Sequence, residues 1–350
     1  MSTIQQEGSI GWECPSNIAL VKYWGKTGIQ LPKNPSLSFT LKKSKTQTRL
    51  HYKRHDKNTF TLTVSLDGKP AIDFQKRIIR YFKMLEEILP FINNYAYSIE
   101  TSNTFPHSAG IASSASGMGA LALALCTLEE IVTSKNRSPA AFFEKASYLA
   151  RMGSGSASRS VYGGYTIWGK TKGAEEYSDL YAVPVSTSVD SIFYTLRDAV
   201  LIVDPGTKSV SSSTGHALME NHPYAQGRIK QATENIKKLM EALKKGNKEA
   251  FSEIVEQEAL SLHALMMSSE RSFILLKPAT LEIINVIRKF REKTGIFVCF
   301  TIDAGPNVHM LYLEDDRNTI LPWLKQELLQ HCYQNTWIDD AVGEGPLKTN

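Results

Sequence analysis

The sequence predicts an α+β protein of two domains, on three observations. Strand and helix patterns are mixed without strict alternation. A Ser-rich loop in the first half runs directly into a long apolar stretch, and beyond about residue 200 helical patterns dominate. At 350 residues the chain exceeds one average domain, so one large or two medium domains are expected. The character changes at 185–191, a Ser/Thr-containing stretch without strong periodicity. That change puts the boundary at 185–195 and the domains at 1–188 and 189–350.

Taken in order, the first hundred residues alternate in period two. Strands are expected at Gln47–Arg54, Thr59–Leu66 and Tyr95–Thr101, with a turn at Asp67-Gly68 and a helix over Ile72–Leu89. The stretch Phe105-Pro-His-Ser-Ala-Gly-Ile-Ala-Ser-Ser-Ala-Ser-Gly117 precedes the apolar run Met118–Val132, and a helix with Pro near its start follows over Pro139–Arg151. A second small-residue loop, Gly153–Gly164, leads to the strand Tyr165–Trp168. After the strand Ala199–Val203, one helical face carries Ile229, Ala232, Ile236, Leu239 and Leu243. Another carries Phe251, Ile254, Val255, Leu262 and Met266. A third helix, Ala279–Lys293, stops at Gly295, and strands Ile296–Ile302 and Val308–Leu313 flank Asp303-Ala-Gly-Pro-Asn307.

Composition narrows the function. Hydrophobic residues at 42% and charged residues at 21% describe an ordinary globular protein with a full core. Forty basic against 35 acidic residues leave +5, a balance that suits small anionic ligands and gives no basic stripe for nucleic acid. Cys14, Cys126, Cys299 and Cys332 are far apart with no CxxC pair, which argues against a disulfide framework or zinc site. The N-terminal residues lack a basic region and an apolar core, and no window reads as a membrane span. A cytoplasmic protein with no membrane partner is expected.

Four clusters carry candidate chemistry. In Phe105–Gly117 small residues let backbone approach a ligand and Ser hydroxyls add donors, ahead of a helix N-terminus. The loop reads equally as a phosphate cradle or as the Ser-capped start of a buried helix, and it is not the Walker form. Asn17-Ile-Ala-Leu-Val-Lys22-Tyr23-Trp24-Gly25-Lys26 puts two cations at a strand end, fit for a diphosphate or carboxylate, or else makes a solvated turn with a packed Trp. Gly153-Ser154-Gly155-Ser156-Ala157-Ser158-Arg159 is a second anion site or a flexible loop. Asp303 leaves an apolar strand into a tight turn, either as a turn cap or as a base or orienting group. Together these fit an enzyme that handles two phosphorylated substrates by positioning and charge neutralisation.

On these segments, with Asn34-Pro-Ser-Leu-Ser38 and Val210-Ser-Ser-Ser213, the chain resembles the diphosphomevalonate decarboxylase family. That family lies within the galacto-, homoserine, mevalonate and phosphomevalonate (GHMP) kinase superfamily. The resemblance spans most of the chain and implies a GHMP-kinase-like fold with the active site in the inter-domain cleft. The implied reaction is ATP-dependent decarboxylation of mevalonate 5-diphosphate to isopentenyl diphosphate, with ADP, phosphate and CO2 as co-products. By position it makes Asp303 the group that takes or orients the hydroxyl proton, Arg159 the carboxylate grip and Lys22 the neutraliser of the transferring phosphate. It places substrate at Tyr23, Trp24, Gly25, Lys26, Lys69, Ser154, Gly155, Ser156, Ala157, Ser158, Arg159 and Ser213. ATP is placed at Pro106, Ser108, Gly110, Ala112, Ser113, Ser114 and Ser116, with Mg2+ reaching Ser114 through the nucleotide. A homodimer is also implied.

The chain departs from the family pattern at Pro35, at His107-Ser108, at Lys69 where some relatives carry Arg, and in the Ser-Ser-Ser-Thr-Gly-His216 stretch. Two other readings remain: a decarboxylase or kinase acting on mevalonate or its monophosphate, and a non-catalytic nucleotide-binding protein.

Overall fold

The structure, a computed structural model, describes residues 6–106, 111, 113–171, 176–206 and 212–349, with main chain only at 212 and 213. The first lobe is built on an eight-stranded sheet. Its two longest strands, β1 (Glu7–Val21) and β4 (Ser36–Arg54), lie antiparallel, joined by a small hairpin of β2 (Lys26–Thr27) and β3 (Leu31–Pro32). Next come β5 (Thr61–Leu66), β6 (Lys69–Pro70), helix α1 (Ile72–Leu85) and β7 (Tyr95–Asn103). Helices α2 (Ser113–Thr133), α3 (Pro139–Gly153) and the single turn α4 (Ala157–Ser160) lead to β8 (Tyr165–Trp168) and β9 (Val183–Pro184). The sheet order is β14-β1-β4-β7-β5-β6, where β14 is the C-terminal strand Leu347–Thr349; β8 pairs with β4 and carries β9.

The second lobe has β10 (Leu196–Leu201), α5 (Ser212–Ala217), α6 (Ala225–Lys245), α7 (Lys248–Met267), α8 (Pro278–Thr294), β11 (Val298–Thr301), β12 (Val308–Leu313), α9 (Arg317–Trp323) and β13 (Trp337–Ala341). Its four strands pair in the order β11-β12-β10-β13. The chain then returns, so that β14 pairs with Gly11–Glu13 of β1 and the lobes are not two simple consecutive segments.

Local chemistry explains most boundaries. Ser138 caps α3 by accepting from the Ala141 N–H, with Pro139 at the first helical position. Gly246 closes α6 in the left-handed conformation and Asn247 at once caps α7 through Ala250, so two long helices meet at a two-residue corner. Helix α1 stops at Leu85, short of the expected Leu89, because the Leu85 carbonyl takes the N–H groups of both Ile88 and Leu89 ahead of Pro90.

Strand β1 escaped the period-two reading because Ile18, Ala19, Leu20 and Val21 are all buried, so polar and apolar residues do not alternate. Its Pro15 sits at a register shift against β4, where no ladder donor is required. Opposite that shift the Lys42, Lys43 and Ser44 N–H groups donate to the carboxylate of Asp340, at 2.9, 2.8 and 2.8 Å. One buried acid of the second lobe thus satisfies the irregular backbone of the first, and the lobes are tied together there.

Helix α2 corrects one expectation. It is 21 residues long and holds an 18-residue stretch with a mean hydropathy of 1.5, long and apolar enough by length and composition to cross a membrane. Instead, 72% of that stretch is buried inside the fold. Its apolar residues pack with Ile78, Tyr81 and Phe82 of α1, Leu149 of α3 and Leu50 and Tyr52 of β4. Gly119 is needed where α2 crosses β1, since a Cβ there would lie 2.6 Å from Cys14 Sγ.

Candidate active site

A cleft of about 900 Å3 between the lobes gathers the ends of β1, α1, α2, α3 and α7 and the turn after β11. Lys22, the residue after β1, is held by its backbone before its side chain does anything. Its N–H donates to Glu258 Oε2 (2.9 Å), and its carbonyl accepts from Arg228 Nη2 (3.0 Å) and Asn34 Nδ2 (2.9 Å). Glu258 and Arg228 are a buried ion pair between α7 and α6, at 2.6 and 2.7 Å, and Asn235 donates to the same carboxylate (2.7 Å). This network uses the N–H and C=O freed where the strand ends, and it fixes the direction of the lysine.

From that anchor Lys22 Nζ donates to Asp303 Oδ1 at 2.7 Å. The lysine side chain is 2% exposed and the aspartate 24%, so the pair sits at the wall of the cleft with the carboxylate accessible. His263 on α7 donates through Nε2 to the Asp303 carbonyl (3.1 Å), which orients the turn. Burial lowers the His263 pKa to about 4, and the Lys22 charge pushes the same way. The unfolded chain therefore binds a proton that the folded one refuses between pH 6.5 and 4. The stability tied to this residue is complete above pH 6.5 and is lost as pH falls through that window, by at most about 1.4 kcal/mol per pH unit. Melting temperatures should fall on acidification across that range, less steeply in His263→Gln; equal slopes would contradict the assignment.

Arg159, on the α4 turn, is buried and has unusual company. Its Nε donates to Asn17 Oδ1 (3.2 Å) and Ser38 Oγ (3.0 Å), its Nη1 to Ser36 Oγ, and its guanidinium lies 5.9 Å from the Trp168 ring. These partners are neutral, and among the described residues it makes no salt bridge. Burial pushes its pKa down to about 10, only partly countered by the nearby charge of Asp303. A buried cation without an acid partner is expensive, and an anionic ligand relieves it.

The sequence-derived candidates divide clearly. Tyr23, Trp24, Lys26, Ser113, Ser114, Ser154, Gly155, Ser156, Arg159, Lys22 and Asp303 line the cleft. Gly25 turns the Trp24–Lys26 segment with φ +88° and donates to His216 Nδ1 (2.9 Å). Ala157 and Ser158 are buried behind the loop, where Ser158 Oγ donates to the Gly155 carbonyl (2.8 Å). Ser116, expected at the nucleotide, is instead buried and hydrogen-bonded to Thr46 (2.6 Å), because its position on α2 faces β4. Pro106 is exposed and outside the cleft lining. Lys69 is likewise exposed on β6, where the Asp67-Gly68 turn carries it to the outer edge of the sheet and away from the cleft. Ser108, Gly110 and Ala112 lie outside the described residues, as does the side chain of Ser213.

The lining also includes Asn17 and His216, from segments noted in the sequence but given no role there, and Arg77 and Arg80, which were not singled out. Arg77 and Arg80 are three apart on α1 and so share a helical face, a spacing visible in the sequence. Burial first, then the neighbouring Arg77, lowers the Lys26 pKa; burial, then Arg80, lowers that of Arg77. Cations crowded to mutual repulsion are stabilised by polyphosphate.

Nucleotide and metal can be tested against the same lining. Ser113 and Ser114 stand at the N-terminus of α2 and face the cleft, and Ser114 Oγ lies 3.5 Å from Ser154 Oγ. Hydroxyls and helix N–H groups fit a phosphate chain. No group of three or more His, Cys, Asp or Glu among the described residues forms a cage for a metal. The Ser114 hydroxyl, in the same lining, could hold a magnesium ion brought in by a phosphate chain.

Gly155 sets the floor. A Cβ there would come within 2.8 Å of both Trp168 Cη2 and Tyr23 Oη. Trp168 is fully buried and cannot yield, so Gly155→Ala should displace Tyr23. We expect a loss of about 1–3 kcal/mol in unfolding free energy and roughly tenfold in kcat/KM, read by denaturant titration and steady-state rates.

Comparison with known proteins agrees with this geometry. Residues 14–181 match the diphosphomevalonate decarboxylase-like N-terminal domain, and residues 199–345 match the mevalonate 5-diphosphate decarboxylase C-terminal domain. The diphosphomevalonate decarboxylase of Gibberella zeae is 31% identical over 335 residues, covering 90% of this chain and 83% of its own. The crystal structure of mevalonate diphosphate decarboxylase from Staphylococcus aureus superposes with a TM-score of 0.84 at 28% identity, over 98% of both chains. MDDEF in complex with MVAPP, AMPPCP and magnesium has a TM-score of 0.81 at 29% identity, over 98% of this chain and 99% of that one. The two-domain α+β architecture expected from the sequence is the architecture of these relatives. With both halves of the chain matched and its cleft built from the Lys-Tyr-Trp-Gly-Lys, Gly-Ser-Gly-Ser-Ala-Ser-Arg and Asp-Ala-Gly-Pro-Asn segments, the chain belongs to the diphosphomevalonate decarboxylase family.

Proposed function

We infer that the protein catalyses the ATP-dependent decarboxylation of (R)-mevalonate 5-diphosphate to isopentenyl diphosphate, releasing ADP, phosphate and CO2. The observation that carries this reading is the occurrence in one cleft of the Lys22–Asp303 ion pair and a buried arginine that makes no salt bridge among the described residues. A phosphoryl transfer alone has no use for a second, desolvated cation reserved for another anion.

The C3 hydroxyl is a poor leaving group. The Asp303 carboxylate accepts or orients its proton as the oxygen attacks the γ-phosphorus of ATP and the bond to ADP breaks. Lys22 Nζ, 2.7 Å from that carboxylate, neutralises the charge gathering on the transferred group. The C3–O bond then breaks and phosphate departs with its electron pair. Arg159 holds the substrate carboxylate so that the C1–C2 pair flows toward C3, forming the double bond and releasing CO2. Lys26, Arg77 and Arg80, with the Ser154–Ser156 loop, supply donors for the diphosphate end, and Ser113 and Ser114 at the start of α2 receive the nucleotide. Magnesium brought with ATP would supply charge neutralisation to the phosphate chain, and the Ser114 hydroxyl would be the group to hold it.

Phosphorus NMR of a reaction mixture tests the assignment. Isopentenyl diphosphate, ADP and inorganic phosphate are expected; a phosphorylated product that keeps its carboxylate would make the protein a kinase. The family resemblance also carries a homodimer and a cytoplasmic location, to be checked by sedimentation and by cell fractionation.

A further inference from the structure

Among the described residues His216 is the one histidine in the cleft lining, and neither the reaction nor the ion-pair network accounts for it. It lies near the end of α5, with its ring 4.3 Å from that of Tyr23 and 4.8 Å from that of Trp24. The packing leaves no slack, since a Cβ on the neighbouring Gly215 would lie 2.4 Å from the Trp24 ring. Its Nδ1 accepts from the Gly25 N–H at 2.9 Å. In the neutral ring that bond assigns the proton to Nε2. Burial and the charge of Lys26 lower its pKa to about 3, so the ring stays neutral at working pH. The ring therefore holds the turn that carries Lys26 with one nitrogen and keeps an N–H on the other.

We propose that His216 is a specificity residue for the organic diphosphate. Its Nε2–H donates to an oxygen of the diphosphate end, while Nδ1 fixes the Tyr23–Lys26 turn whose lysine binds the same group. A neutral donor beside Lys26, Arg77 and Arg80 adds a directed hydrogen bond without adding to a crowd of positive charge. It favours the longer anion over a monophosphate, because the monophosphate has fewer oxygens to bring within reach of both the ring and the lysine.

This inference rests on the function proposed above, and two variants separate its parts. His216→Asn places an amide oxygen where Nδ1 accepts from Gly25 but has nothing at the Nε2 position. His216→Gln reaches the Nε2 position but gives up the hold on Gly25. In His216→Asn the KM for mevalonate 5-diphosphate should rise about tenfold, as loss of a hydrogen bond to a charged group implies. Its kcat and its KM for ATP should change less than about twofold, and its preference for diphosphate over monophosphate should shrink by a similar factor to the KM change. His216→Gln should retain part of that preference. A His216→Asn enzyme with wild-type KM and wild-type preference would overturn the proposal and leave only the turn-holding role. Calorimetry with inorganic pyrophosphate gives an independent readout, with weaker binding expected in His216→Asn and equal binding contradicting it. A wild-type enzyme that binds pyrophosphate but does not turn over the diphosphate would overturn the proposed function and leave this site standing.

Discussion

Asp303→Asn is expected to lose about 10^3-fold or more in kcat while ATP binding stays within about twofold. Asparagine keeps the size of the side chain, and its amide oxygen still accepts from Lys22 Nζ, so the 2.7 Å contact survives in shape. What disappears is a group able to accept a proton from the C3 hydroxyl and a negative charge to balance the buried lysine. That missing charge will lower the melting temperature, since Lys22 is held in place by the Glu258–Arg228 network whatever stands opposite it. Nucleotide affinity is therefore the discriminating readout. Parallel loss of turnover and ATP binding would mean that Asp303 supports the fold of the cleft and not the chemistry.

Arg159→Lys is expected to lose at least about 100-fold in kcat/KM for the organic substrate. The arginine spends Nε on Asn17 and Ser38 and Nη1 on Ser36, and these neutral oxygens fix the plane of the fork. A lysine has no fork. Its ammonium leaves some of those buried acceptors without a donor, and it offers a carboxylate one point of attachment in place of two. Because the carboxylate is on the substrate and not on ATP, the substrate term should carry the loss and the KM for ATP should move little. Wild-type-like rates would remove Arg159 from the carboxylate.

Much of the architecture was legible because local chemistry and tertiary structure agree. The Pro139 start and the Gly295 stop bound their helices in sequence as they do in space. Of strand β1 only the end that leads into Lys22 was legible; the rest was not, since Pro15 interrupts it and its buried residues do not alternate with polar ones. Nor was β14, three residues whose identity as a strand depends on β1 being there to pair with.

The site shows the same division. Its anion-binding loops stand out in the sequence by composition, yet Lys22 and Asp303 are 281 residues apart and only the folded chain brings them together. The Asn34–Ser38 segment carried the family resemblance without showing its purpose, which is to present Ser36 and Ser38 to a guanidinium more than 120 residues away. Arg77 and Arg80 had the right helical spacing, but a charged pair on an amphipathic helix looks the same whether it meets solvent or a cleft. Lys69 matched the family pattern by position alone, and the hairpin turn before it sends it elsewhere.

The central claim is that phosphoryl transfer and loss of the carboxylate are two halves of one reaction in this cleft. Release of ADP and CO2, followed together with ATP and Mg2+ on mevalonate, its 5-phosphate and its 5-diphosphate, tests it most directly. The account predicts equal amounts of both products from the diphosphate alone. ADP without CO2, or a preference for the monophosphate, would contradict it.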